Sequence, residues 1–187
     1  HGRTPPCADA LVAAGMSRVV VAVGDPDPRV SGAGLKRLRD AGIRVDLLPH
    51  AQAQHDLAGF LTRVTKNRPY VTLKLAVSAN GMIAAGAGHR TQVTGAEVRN
   101  RVHMIRAQSD AILIGRKTLE TDDPELTVRL PGLEHRSPIP IVLSQKLYSQ
   151  LSGKIFAADA GHLPWLLTVK KTDQDQGPAV ISCGTNG

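Results

Sequence analysis

The chain has 187 residues, enough for one full domain or parts of two. Its formal charge is +7, from 23 Lys and Arg against 16 Asp and Glu, and 42% of it is apolar, which excludes general disorder. Five aromatic residues (one Trp, two Tyr, two Phe) argue against a stacking platform for single-stranded nucleic acid, and the longest apolar run, Val19 to Val23, is too short for a membrane span.

In chain order, Ala8 to Ala14 reads as a short helix closed by Gly15, and Arg18 to Val23 as a buried strand. Gly24-Asp-Pro-Asp-Pro28 is a turn. Leu35 to Ala41 is a basic helix with Gly42 at the position of a left-handed cap, and Ile43 to Leu48 is the next strand. This alternation predicts parallel pairing. Ala53, Leu57, Phe60, Leu61 and Val64 then fall on one face of a single helix, which ends before Pro69 because the residue preceding proline resists helix. A domain boundary is placed here, dividing the chain into 1–66 and 67–187.

The second part opens with a strand, Tyr70 to Val77, carrying Lys74 at its middle. Ala79-Asn-Gly81 turns, and Thr94-Gly-Ala-Glu97 is a capping box ahead of a helix whose apolar face is Val98, Val102 and Ile105. Ala111 to Ile114, Ile139 to Leu143, Leu166 to Val169 and Ala179 to Ser182 read as further strands. The ends, His1 in a Gly/Pro-rich stretch and Gly187, are read as internal to a longer protein.

Chemistry concentrates in a few strings. Ile112-Leu-Ile-Gly-Arg-Lys-Thr-Leu-Glu120 runs a buried strand into Gly115 and a helix start near Thr118. Glycine admits a phosphate to the backbone, and free amides with Arg116 and Lys117 favour it; an ordinary strand-to-helix turn gives the same string. This segment is similar to the strand–Gly-Arg-Lys-Thr–helix of dihydrofolate reductases, which implies an NADPH-phosphate site. Asp122-Asp-Pro124 is a turn device or a carboxylate in a pocket, with Arg129 as a clamp for phosphate. Lys74 in an apolar strand needs a partner if buried, or faces solvent on the alternate side. Cys7 and Cys183 make no disulfide framework, no export signal opens the chain, and a reduced, cytoplasmic compartment is the simplest reading. His50, His55, His89, His103, His135 and His162 lack ligand spacing and are read as surface or loop residues. The basic residues are spread along the chain, which argues against a nucleic-acid partner.

Together, His1-Gly-Arg-Thr-Pro-Pro-Cys7, Gly24-Asp-Pro-Asp-Pro28, Thr72-Leu-Lys-Leu-Ala-Val-Ser78, Asp110-Ala-Ile-Leu-Ile-Gly115 and Asp122-Asp-Pro-Glu-Leu-Thr-Val-Arg129 match, in order and spacing, the bifunctional deaminase–reductases of riboflavin biosynthesis. The resemblance implies an α/β fold. Residues 1–66 would be the C-terminal part of a cytidine-deaminase-like three-layer domain, and 67–187 a dihydrofolate-reductase-like domain lacking its C-terminal part. It implies zinc-dependent pyrimidine deamination in the parent protein, of whose metal ligands only Cys7 is present here. It further implies NADPH-dependent reduction of the ribosyl group of a phosphorylated pyrimidine ribosylamine to ribityl. Residue by residue, Ala76, Gln92, Gly115, Thr118 and Asp122 fall on the cofactor side, and Arg90, Leu126 and Arg129 on the substrate side. Lys74 and Asp122 are the candidate reductase-site residues. Arg90 stands where the family has serine, Gln92 where many members have tryptophan, and Ser144 where aspartate is common. A Glu-Gly-Gly-type loop that holds NADPH in the family is not among these residues. The resemblance also implies a homo-oligomer, with no membrane partner. A non-catalytic relative keeping the fold and the basic cleft is the alternative.

Overall fold

The structure is a computed structural model that describes residues 5–30, 32–86, 91–145, 151–157, 163–168 and 180–182. It divides into two compact units, His1–Lys74 and Leu75–Gly187, eight residues beyond the boundary expected after Lys66.

In the first unit, helix α1 (Cys7–Ala13) precedes strand β1 (Arg18–Val21), and α2 (Ala33–Asp40) precedes β2 (Arg44–Leu47). The strands pair in parallel, Val19 opposite Val45. These two valines and Leu11 pack on buried Ala8, Leu38 and Ile43, so the helices cover one sheet face. Gly42 terminates α2 at φ +79°, and the Ile43 amide then reaches the Leu38 carbonyl at 3.0 Å. A residue with a Cβ would be strained there.

Two expectations need correction. The strand is not buried on both sides: Val20 is 53% exposed, because only one face of this two-stranded sheet is covered among the described residues. The single helix expected over 53–64 is two, α3 (Ala51–Asp56) and α4 (Ala58–Lys66), separated at Leu57, where ψ is 7°. Its apolar stripe stays open, with Leu57 and Phe60 both more than 40% exposed. Without packing to enforce a continuous axis, local geometry breaks it, and Gly59 in the first turn of α4 weakens propagation.

The second unit carries α5 (Ala96–Ala107), β3 (Ala111–Gly115), α6 (Arg116–Asp122), β4 (Ile139–Leu143), β5 (Trp165–Thr168) and β6 (Val180–Ser182). The four strands are all parallel, in the order β3-β4-β5-β6. Leu119 from α6, Leu126 from the loop after it, Val142 from β4, Leu166 from β5 and Ile155 form the core, flanked by Ile112, Ile114, Leu151 and Phe156. The expected strand ends at Val169 and Ala179 lie outside the described residues.

Tyr70–Val77 is not a strand: it joins no sheet among the described residues, and Val71, Leu73 and Leu75 are 65% exposed or more. An apolar alternating run favours β structure, but a strand exists only where a neighbour satisfies its backbone, and none lies beside it here. The capping box is also corrected. Gly95, not Thr94, precedes α5, with no side-chain cap, so Glu97 is one position too early to close the box. The Thr94 carbonyl instead accepts from Gln92 Nε2 and from an Arg99 guanidinium NH, both at 3.4 Å.

Candidate functional site

The site is built where β3 ends. Gly115 leads directly into α6 with φ −79° and ψ 155°, a conformation open to any residue. An ideal Cβ there would meet nothing within 4 Å. Neither backbone geometry nor packing therefore requires glycine, and the open space beside it remains for a ligand. Lys117 and Thr118 are exposed in the first turn of α6, while Leu119 is buried and anchors the helix to the sheet. Thr118 and Asp122 stand four residues apart, on one helix face. Arg116 is not free for a ligand: it pairs with Glu120 across one turn at 2.6 Å.

Helix α6 ends in a left-handed residue, Asp123 at φ +39°. Its carboxylate accepts the Lys154 amide at 2.8 Å and lies 3.5 Å from Lys154 Nζ, tying the 3-10 turn Lys154–Phe156 to the end of α6. Of the adjacent acids, Asp123 is thus structural, while Asp122 is half-buried at the last position of α6.

The following loop is held by side chains instead of a ladder. Leu126 adopts φ +58°, rare for a bulky residue, and its side chain is buried in the core at 4% exposure. It therefore offers a ligand its backbone rather than its side chain. The next three residues are each fastened. The Thr127 carbonyl accepts from Arg106 at 3.0 Å, the Val128 amide donates to Ser137 Oγ at 2.9 Å, and the Arg129 amide donates to His103 Nδ1 at 3.2 Å. Arg129 NH1 is steadied by Glu125 at 2.8 Å and Thr127 Oγ1 at 3.3 Å, and its side chain is 54% exposed.

His103 and Arg106 stand three residues apart on α5, so one helix face presents both to this loop. Burial pushes the Arg106 guanidinium below its ordinary value, and Arg129 nearby pushes it further; Glu125 opposes. It remains a cation at neutral pH. Its Nε is buried without a hydrogen-bond partner among the described residues. Burial likewise lowers the His103 pKa, aided by the charges of Arg106 and Arg129 and opposed by the Thr127 carbonyl. An anion bound near Arg106 would relieve the charge that burial and Arg129 disfavour there.

The structure thus brings Leu126 and Arg129 together in one loop, places Gly115 and Thr118 at the start of α6, and puts Asp122 at its end on the same face as Thr118. Ala76 is half-buried and Gln92 exposed in the same unit; Lys74 closes the first unit and is exposed, not buried. Arg90 lies outside the described residues. Ser144, after β4, is 6% exposed, and its amide donates to the Leu167 carbonyl at 3.0 Å. The sequence reading missed Arg106 and misplaced His103 as a surface residue. Their i, i+3 spacing beside the apolar face of α5 was the available signal. The residues present do not fit zinc: Cys7 is an exposed free thiol, and no three His, Cys, Asp or Glu come together among the described residues.

Residues 69–181 match the family model described as the RibD C-terminal domain. The chain is 39% identical over 174 residues to the riboflavin biosynthesis protein RibD of Aquifex aeolicus, covering 92% of this chain and 48% of that protein. It is 44% identical over 151 residues to RibD of Escherichia coli, covering 80% and 39%. Among solved structures, a Thermotoga maritima diaminohydroxyphosphoribosylaminopyrimidine deaminase/5-amino-6-(5-phosphoribosylamino)uracil reductase superposes with a TM-score of 0.80 at 31% identity, over 100% of this chain and 52% of that one. RibD of Acinetobacter baumannii gives 0.76 at 34% identity, over 91% and 49%. The chain spans about half the length of these relatives. The parallel α/β architecture, the family match and these neighbours agree: the chain belongs to the RibD family, and its residues 69–181 are that family's C-terminal, dihydrofolate-reductase-like domain.

Proposed function

We propose that this chain carries the phosphate-reading and cofactor-facing parts of an NADPH-dependent reductase. The reaction reduces the ribosyl group of 5-amino-6-(5-phosphoribosylamino)uracil to ribityl in riboflavin biosynthesis, in the cytoplasm. Residues 1–66 are the later part of a deaminase domain whose zinc chemistry belongs to the parent protein. The single observation carrying the reading is the loop of residues 127–129, fastened by Arg106, Ser137 and His103, which presents the half-exposed Arg129 side chain.

The division of labour follows from the residues. Arg129 NH1 is occupied by Glu125 and Thr127, and among the described residues nothing else takes its remaining N–H groups, which leaves them for a phosphate fork. Arg106, part-buried, adds charge from a drier position, where it counts for more. At the β3–α6 junction, NADPH fits the open space beside Gly115, with the Thr118 hydroxyl and first-turn amides donating to its phosphates and Asp122 accepting from its polar groups. The cofactor supplies the hydride; the protein's part is to position the two reactants and exclude water.

The test is kinetics of Arg129→Ala in the full-length protein with the phosphorylated substrate and its dephospho analogue. Loss of a charge-assisted contact costs about 1.5–3 kcal/mol, roughly tenfold to over a hundredfold in binding, for the phosphorylated substrate alone. An equal loss for both substrates makes Arg129 structural and overturns the reading. Ligand binding without NADPH oxidation in the unaltered protein would assign it to a non-catalytic relative.

A further inference from the structure

We propose that His103 is a positioning residue for Arg129: its neutral imidazole accepts the Arg129 amide and latches the phosphate-reading loop in its binding geometry, so that protonation of His103 releases the latch.

The proposal rests on the reading of Arg129 given above and adds a regulatory group to it. The geometry carries it. Among the described residues, those at 127–129 have no sheet neighbour, and three side chains, Arg106, Ser137 and His103, fasten them. Two of these cannot titrate near neutrality. His103 can, and its bond runs in the direction that only the neutral form supports: Nδ1 accepts, at 3.2 Å, from a backbone N–H. A proton on Nδ1 would set two N–H groups against each other. The protonated ring would instead favour the Thr127 carbonyl, which already accepts from Arg106. The loop would then have to shift by the residue that carries the guanidinium.

The surroundings favour the neutral ring. On its own helix His103 has Arg106, and from the loop Arg129, while Glu125 on that loop acts on Arg106 and pairs with Arg129. The 3-10 turn Glu134–Arg136 packed on α5 adds Glu134, His135 and Arg136, of which Arg136 donates to the Ala107 carbonyl at 3.4 Å. Burial and the two nearest arginines hold the pKa below the ordinary imidazole value, so the latch is closed at neutral pH and opens only in acid. Leu126, immediately before this stretch, holds φ +58°, a conformation rare for a bulky residue, so the loop is held against a local backbone preference.

The experiment compares His103→Leu and His103→Asn in the full-length protein. The asparagine carboxamide oxygen keeps an acceptor near the Nδ1 position but does not titrate. For His103→Leu, KM for the phosphorylated substrate rises about tenfold with kcat within about twofold, and KM for the dephospho analogue is unchanged. His103→Asn restores most of that loss. In the unaltered protein KM for the phosphorylated substrate climbs in acid more steeply than protonation of the substrate phosphate alone requires; in His103→Asn that excess is absent. A parallel readout needs no substrate: a scalar coupling across the N–H···N bond links the Arg129 amide to His103 Nδ1 by NMR, and it disappears in acid over the same range as that excess. An acid limb as steep in His103→Asn as in the unaltered protein overturns the proposal, as does an absent coupling or equal KM losses for both substrates in His103→Leu. If His103→Leu fails to fold, the asparagine variant's pH profile and the coupling still decide it. Should Arg129→Ala leave phosphate discrimination intact while the coupling is present, the functional reading fails and the latch stands as geometry.

Discussion

At Gly153 the backbone runs at φ +142°, where L side chains are strained, and an added Cβ would lie 2.9 Å from Asp123 Oδ1 and 3.3 Å from Leu119 Cδ1. Asp123 cannot simply swing away, because its carboxylate accepts the Lys154 amide. Gly153→Ala is therefore expected to lower stability by about 1–3 kcal/mol, through backbone strain and loss of that bond. Urea denaturation measures it, and a change below about 0.5 kcal/mol would show that the turn adjusts freely. The contrast with Leu126 is instructive. Its backbone is also left-handed, yet the residue is a buried leucine, so the core holds it there against its conformational preference. No local rule in the sequence announces a leucine in that region.

The junction of β3 and α6 is the element on which the cofactor reading turns. Gly115 has an ordinary φ and an empty surrounding, unlike Gly153. Gly115→Ala should fold with stability within about 0.5 kcal/mol of the parent, since neither strain nor overlap is introduced. A methyl group in the space assigned to phosphate should nonetheless raise KM for NADPH several-fold, with KM for the pyrimidine substrate unchanged. Thermal unfolding and initial rates separate the two effects; unaltered NADPH affinity would remove the cofactor from this junction. The element boundaries here followed the sequence closely. Strand β3 lies where the apolar run puts it, and α6 starts at Arg116, two residues before Thr118, because a strand paired with β4 and a helix anchored by Leu119 satisfy both local propensity and packing; the strand is not buried as expected, since Leu113 is 55% exposed. Tyr70–Val77 had an equally clear apolar pattern and failed as a strand, since pattern specifies a face and not a neighbour.

Across the whole molecule the formal charge of +7 acts at longer range than any single contact. Both ligands assigned to the reductase are anions, so their capture should weaken with ionic strength as screening shortens the reach of the field. Titration of NADPH into this chain between about 0.05 and 0.3 M salt should show several-fold weaker binding at the higher end. A salt-independent affinity would confine the electrostatics to contacts already closed off from solvent. Among the described residues no helix is long and apolar enough to cross a membrane. Each unit has its own small core whose buried members are aliphatic, with Phe156 the one aromatic packed against either among the described residues, in keeping with a chain that has only five aromatic residues.

The sequence by itself determined the α/β order, the parallel pairing of the first unit, the glycine stop after α2 and the β3–α6 junction. Each depends on short-range periodicity, on conformational freedom at one residue, or on connection rules that permit few alternatives. Family motifs placed Leu126 and Arg129 on the substrate side, but they could not say that Leu126 would contribute a strained backbone and a buried side chain. Only the tertiary structure set His103 and Arg106 against the loop that follows α6, because residues more than twenty positions apart meet through packing that no local pattern encodes. It also decided which of two adjacent aspartates is structural: Asp123 turns left-handed and binds a segment 31 residues later, while Asp122 ends α6 half-buried on the face it shares with Thr118.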